Sequence, residues 1–70
     1  MAQSHEGNLT KPEVAVLQRA CNGMTDEEIA ADLELDFAQV ESMLGSAKEK
    51  LKAADRTHAV ANALRKRLIA

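Results

Sequence analysis

The side chains here that can carry covalent or acid–base chemistry are few and far apart. Cys21 is the single thiol, and His5 and His58 are the two imidazoles. Nucleophilic catalysis needs a hydroxyl or thiol, a base and an orienting group within hydrogen-bond reach, and neither Ser42 nor Ser46 has a His and carboxylate set near it in a chain of 70 residues. Zinc is held by nitrogen and sulfur ligands at short recurring spacings, whereas this sequence contains no CxxC and no HExxH. A lone cysteine closes no intramolecular disulfide, and without a Gly-rich loop there is nothing to cradle a phosphate. These residues predict no enzyme, no metal, no cofactor and no small-molecule ligand.

What the sequence does carry is charge, and it is segregated. Gly23 to Ser46 holds Asp26, Glu27, Glu28, Asp32, Glu34, Asp36 and Glu41 with no Lys or Arg, −7 in all. Residues 47–70 come to +5, with Lys48, Lys50, Lys52, Arg56, Arg65, Lys66 and Arg67 outweighing Glu49 and Asp55. The first 22 residues are neutral, and the whole chain is −2. One-signed surfaces of this kind steer charged macromolecules. The binding chemistry is therefore that of exposed charge and apolar side chains on a scaffold.

That scaffold reads as helical throughout. A composition of 46% hydrophobic and 29% charged residues suits one folded domain, which at this length buries only about 60% of the surface its unfolded chain exposes. Residues 1–8 lack a periodic pattern and read as a flexible tail, leaving 9–70 as the domain. Thr10 and Glu13 have the spacing of a capping box, Pro12 is tolerated in a first turn, and Gly23 suits a helix end. Val14, Val16, Leu17, Ala20 and Cys21 give this first helix its apolar stripe, where a thiol behaves as a small, inert hydrophobe. Thr25 and Glu28 repeat the box before a short helix with Ile29, Ala30 and Leu33 inward. Asp36 and Gln39 open a third helix at Phe37, with Leu35 and Val40 as a hydrophobic staple. Val40, Met43 or Leu44, Ala47 and Leu51 continue its stripe to about Lys52. Asp55 caps a fourth, in which Val60, Ala61, Ala63, Leu64, Leu68 and Ile69 exceed what one side of a small bundle needs. No period-two alternation, hairpin turn or internal repeat marks a sheet. The short links after the first and second helices match a helix-turn-helix.

With those elements placed, the stretch LTKPEVAVLQRACNGMTDEEIAADLEL and the following VESMLGSAKEKLKAADRTHAVANAL resemble the LuxR/GerE-type DNA-binding domain of bacterial regulators. The likeness runs from Leu9 to Ile69 and rests most on Leu9-Thr10, Glu13, Val16-Leu17, Gly23-Met24, Glu28-Ile29-Ala30, Leu33, Val40 and Arg56 to Val60. The second and third helices alone also resemble region four of sigma factors; the fourth helix favours the LuxR type. The resemblance implies an all-α, four-helix helix-turn-helix domain whose third helix enters the major groove and whose fourth often pairs two subunits. It places base-contacting positions on Glu41, Ser42 and Gly45 and a backbone-holding position on Gln39. Related domains carry basic residues or Asn around these positions, and a His where Met43 stands.

Two readings follow for what the third helix meets. In the first it meets double-stranded DNA through Gln39, Glu41, Ser42, Gly45 and Ser46, with Lys48, Lys50, Lys52 and Arg56 on phosphates. A carboxylate at Glu41 can accept from a cytosine amine. In the second, the acidic face repels the duplex, because non-specific affinity comes mainly from cations at phosphates. The domain then works through a protein, either by Phe37, Glu41 and Met43 or by pairing of the fourth helix with a regulator or a second copy through Val60, Ala63 and Leu64. Phe37 is then exposed; otherwise it packs on the second helix. Gly45 serves the close approach of a ligand, or else a neighbouring helix crosses it. No apolar run spans a bilayer and the start lacks a secretory signal, so the expected location is the cytoplasm. Nothing in 70 residues receives a signal within a separate domain, so control is expected through abundance or a partner.

Overall fold

A computed structural model describes residues 9–70, and these form four helices and no strand: α1 Lys11–Cys21, α2 Asp26–Leu33, α3 Phe37–Leu51 and α4 Arg56–Arg65. The tail expected over residues 1–8, with His5, lies outside the described residues. Each helix starts where its cap residue stands. Glu13 N–H donates to Thr10 Oγ1 at 3.2 Å and Thr10 N–H to Glu13 Oε1 at 2.9 Å. Thr25 and Glu28 repeat the exchange at 3.1 and 2.8 Å. At α3, Asp36 N–H donates to Gln39 Oε1 at 2.9 Å. Before α4, His58 N–H donates to Asp55 Oδ1 at 2.8 Å, while Ala54 N–H donates to His58 Nδ1 at 3.1 Å. His58 is exposed, yet its ring takes up the N–H of the residue before the cap, a role its sequence position does not announce.

The four helix ends share one geometry. A residue with φ between 54° and 89° follows or closes each helix: Gly23, Glu34, Lys52 and Arg67. The next N–H then donates back five residues, from Met24 to Arg19 O, Leu35 to Ala30 O, Ala53 to Lys48 O and Leu68 to Ala63 O, at 2.8–3.1 Å. This is the Schellman turn, which satisfies carbonyls left over at a helix end and sets an apolar residue against the helix it has just left. Met24, Leu35, Ala53 and Leu68 are all partly buried against the core.

The last of these turns corrects the sequence expectation for the fourth helix. α4 stops at Arg65; the left-handed Arg67 then reverses the chain, and Ile69 is buried in the core. Gln18 holds this return against α1, its Oε1 accepting from Ala70 N–H at 2.9 Å and its Nε2 donating to Ala70 O at 2.8 Å. Part of the apolar excess thus covers the domain's own core.

α3 packs on each of the other three helices. Its buried stripe, Val40, Leu44, Ala47 and Leu51, meets Val16 and Leu17 of α1, Ile29 and Ala30 of α2, Ala59 and Ala63 of α4, and Ile69. Cys21 is half-buried at the edge of this core. Burying one stripe of a 15-residue helix leaves its opposite face to solvent, which is what positions the site.

Candidate functional site

Glu41, Gly45 and Lys48 recur at intervals of four and three along α3, so they lie on one face, and Lys52, with its left-handed backbone, stands at the C-terminal cap of the helix. Ser42 stands beside them, and Glu41, Ser42 and Lys52 are exposed. A Cβ added at Gly45 would meet no atom within 4 Å. The reading in which a neighbouring helix crosses at Gly45 is therefore corrected: the space over it is open. Gln39 is exposed as well, and its side-chain oxygen is held by the cap.

Three of the residues expected on this surface are engaged inside the fold. Lys50 Nζ lies 2.7 Å from Glu13 Oε1. Glu13 is 6% exposed; burial pushes its carboxyl up, but hydrogen bonds from Lys50, the Thr10 backbone and the Ser46 hydroxyl, with the Lys50 charge, bring it below its ordinary value. The Ser46 hydroxyl therefore points to α1. Arg56 donates through one amino group to the Met24 carbonyl at 2.8 Å and through the other to the Asp26 carboxylate, which ties the start of α4 to the start of α2. In place of the three-lysine, one-arginine cationic set expected from the sequence, Lys48 remains on the open face of α3 and Lys52 is exposed at its C-terminal cap.

Asp26 also faces Glu41. The Glu41 carboxyl is pushed up, first by its hydrogen bond with Asp26, then by desolvation and the Asp26 charge; Lys48 and Arg56 pull the other way without reversing it. Elsewhere the acidic segment is partly answered, since Arg19 Nε lies 2.5 Å from Asp32 Oδ2 and Glu28 serves its cap.

Next to this pair, Met24, Thr25, Asp26, Glu27, Phe37 and Arg56 line an open depression of about 460 Å³. Phe37 is 50% exposed and lies on its wall, so it does not simply pack away. Met43 is half-buried against the core. Of the fourth-helix residues expected at a subunit seam, Leu64 is 42% exposed and Val60 half-buried, whereas Ala63 is fully buried. Ala63 is corrected to a core residue; it lies one turn after Ala59 on the face that packs inward. Asp26 and Met24 organise the depression, yet in the sequence they stand out only as a charge and a loop residue. Their signal is faint, because the partner that unites them, Arg56, lies about thirty residues downstream.

The family described as "Bacterial regulatory proteins, luxR family" matches residues 7–63, more than half of the chain. The chain belongs to the LuxR family. Among LuxR-type relatives, the "HTH-type quorum sensing-dependent transcriptional regulator VjbR" of Brucella abortus (strain 2308) is 46% identical over 63 residues, 90% of this chain and 24% of its own length. The "Transcriptional regulatory protein YdfI" of Bacillus subtilis (strain 168) is 39% identical over 67 residues, 96% of this chain and 32% of its own. This chain thus spans a quarter to a third of those regulators. In three dimensions it is similar to the transcription factor GerE, with a TM-score of 0.85 over 89% of this chain and 92% of that one; at 21% identity this shows the fold alone. It is also similar to the response regulator ChrA of a heme-sensing two-component system, with a TM-score of 0.85, 29% identity, and coverage of 99% of this chain and 33% of that one. The LuxR-type helix-turn-helix anticipated from the caps and motifs is the fold observed, and no helix among the described residues is long and apolar enough to cross a membrane.

Proposed function

We propose that the chain regulates transcription as a LuxR-type DNA-binding module, with α3 in the major groove. The observation that carries this reading is the open face of α3 within a LuxR-family fold: Glu41, Ser42 and Gly45 stand together, unobstructed, with Lys48 further along the same helix and Lys52 at its C-terminal cap. Ser42 and the Gln39 amide donate to base edges or phosphate oxygens, Glu41 accepts from an exocyclic amine, and the two lysines meet phosphates. Arg56 and Lys50 act differently in this reading, as ties that fix α3 and α4 in place.

A second reading is favoured by one specific feature, the carboxyl pair of Glu41 and Asp26 beside an exposed Phe37. Negative charge at a reading position repels a polyanion, and an exposed aromatic with an acidic rim suits a protein surface. Fluorescence anisotropy of a labelled duplex, titrated with the full chain at several salt concentrations, separates the two. Direct DNA recognition gives at least non-specific binding with a Kd of roughly 10⁻⁴ to 10⁻⁶ M and a negative slope against log salt. Absence of binding even at low salt rejects the first reading and leaves protein capture.

A further inference from the structure

Asp26 opens α2, and its side chain is only 18% exposed. Arg56 holds it from α4, donating through one amino group to the Asp26 carboxylate and through the other to the Met24 carbonyl at 2.8 Å. This two-point anchor fixes where the Asp26 carboxylate stands, and it stands in hydrogen-bond contact with Glu41, the exposed carboxyl on the open face of α3. Two ionised carboxylates are acceptors only, so a hydrogen bond between them requires one shared proton. We propose, on the reading in which α3 enters the major groove, that Asp26 positions Glu41 for DNA: the pair takes up one proton as the duplex binds, and Glu41 meets the bases as a neutral acceptor.

Arg56 already donates to Asp26, so Asp26 is the acceptor of the pair and the proton sits on a Glu41 oxygen. The second Glu41 oxygen is left to accept from the exocyclic amine of a cytosine or an adenine, and the repulsion between a carboxylate and the phosphates is removed. In the free chain the Glu41 carboxyl is already pushed up, first by the Asp26 hydrogen bond, then by desolvation and the Asp26 charge, against Lys48 of α3 and Arg56 of α4. Glu27 adds a further negative charge at the depression that Asp26 and Arg56 line. The charged pair between α1 and α3 is remote from this cluster: Lys50, bound to Glu13, lies nine residues beyond Glu41, about two and a half turns and so on the opposite side of the helix. A bound duplex adds its own negative potential and pushes the pair further toward the protonated form. With the bound value above the free one, affinity rises as the pH falls from the first to the second and is level below.

Fluorescence anisotropy of the full chain on one labelled duplex, at constant low salt from about pH 5 to about pH 8, tests this. Wild-type affinity should fall as the pH rises, by up to about tenfold per pH unit, the limit for one proton. His5 and His58 are common to all the chains compared, so the background that imidazoles add in this range cancels. Glu41→Gln presents a neutral acceptor at every pH. It should match the wild type at the acid end, bind several-fold more tightly at the alkaline end, and lose the proton-linked part of the slope. Asp26→Asn keeps the Glu41 carboxyl but faces it with an amide N–H, which favours the ionised form. It should lose the same part of the slope and bind several-fold more weakly at the acid end, whereas loss of a merely structural tie lowers affinity alike at every pH. If Asp26→Asn loses helicity by circular dichroism, Glu41→Gln, altered at an exposed side chain, decides alone. A wild-type slope equal to that of Glu41→Gln, with both chains binding, overturns the proposal and leaves DNA recognition standing, as does a folded Asp26→Asn that keeps the wild-type slope. No binding by either chain at any pH removes the duplex-binding reading and the proposal with it.

Discussion

Two glutamates, Glu13 on α1 and Glu41 on α3, respond in opposite directions to the fold, and each reports on its surroundings. Glu13 is buried and held by Lys50, the Thr10 N–H and Ser46. Its folded carboxyl lies below the ordinary 4.5, so the unfolded chain takes up the proton first as the pH drops. That contribution to stability is complete above about 4.5 and disappears as the pH falls through the folded value. Urea denaturation followed from pH 7 to pH 3 should therefore show a loss of stability on the acid side that is shallower in Glu13→Gln. Lys50→Met should cost about 2 kcal/mol at pH 7, because it leaves a buried carboxylate with its cation removed; the Lys50 side chain is 31% exposed, which keeps the figure below that of a fully buried pair. At Gly45 the open space over the helix lets an added methyl group stand without hindrance. Gly45→Ala should then stabilise the domain by about 1 kcal/mol, seen as a higher midpoint in the same denaturation. Should the duplex approach closest there, the same variant should bind DNA more weakly while folding better, a combination that a purely structural glycine does not give.

Helix ends hold the features that residue types disclose least. The capping boxes at Thr10 and Thr25 and the Asp36 and Asp55 starts are legible in the sequence because their chemistry requires particular side chains at fixed spacing. A Schellman turn requires only a left-handed residue, and Gly23 is recognisable as one because glycine is the usual choice. Glu34, Lys52 and Arg67 adopt the same conformation with a Cβ, and no residue type marks them. The expected run of α4 beyond Arg65 has this cause: without the turn at Arg67, Leu68 and Ile69 look like further positions on a helical stripe. The conformation is costly for an L-residue by about 1–2 kcal/mol. Glu34→Gly should thus raise stability by about 0.5–1 kcal/mol despite its added unfolded-state entropy, measurable as a shift in Tm with α2 and α3 unchanged by circular dichroism. Asn62 also carries no signal in the sequence, although it stands between Ala59 and Ala63 on the inward face of α4. Its Nδ2 donates to Leu51 O at 3.1 Å, joining the end of α3 to α4, and its oxygen accepts from Arg65 at 3.1 Å. Ion pairs such as Arg56 with Asp26 join residues that the chain separates by thirty positions, and composition carries no trace of which distant carboxylate an arginine will find.

At the scale of the molecule, the four cations that the sequence presents as one phosphate-binding set divide into two kinds. Lys48 is borne on the open side of α3 and Lys52 is exposed at its C-terminal cap, whereas Lys50 reaches Glu13 and Arg56 reaches Asp26 and the Met24 carbonyl. Glu41 lies toward the start of α3 and Lys48 toward its end on the same face, so in the duplex-binding reading a carboxylate and a cation of one helix act in opposite senses. Salt dependence resolves these contributions, because the slope of log K against log salt grows by about one unit for every phosphate that a cation neutralises. For the duplex-binding reading, Lys48→Ala and Lys52→Ala should each flatten that slope by about one unit. Lys50→Met should lower affinity only so far as it lowers stability, with the slope unchanged. Glu41→Lys should act in the opposite sense, steepening the slope and tightening non-specific binding, since it replaces repulsion at the entry face with a cation. The comparison is made by anisotropy on one duplex across a salt series, with helicity checked for each variant. A Lys50→Met slope that falls as far as that of Lys48→Ala would mean that the lysine leaves Glu13 when DNA arrives, and the division of the cations into phosphate-binding groups and ties would be wrong.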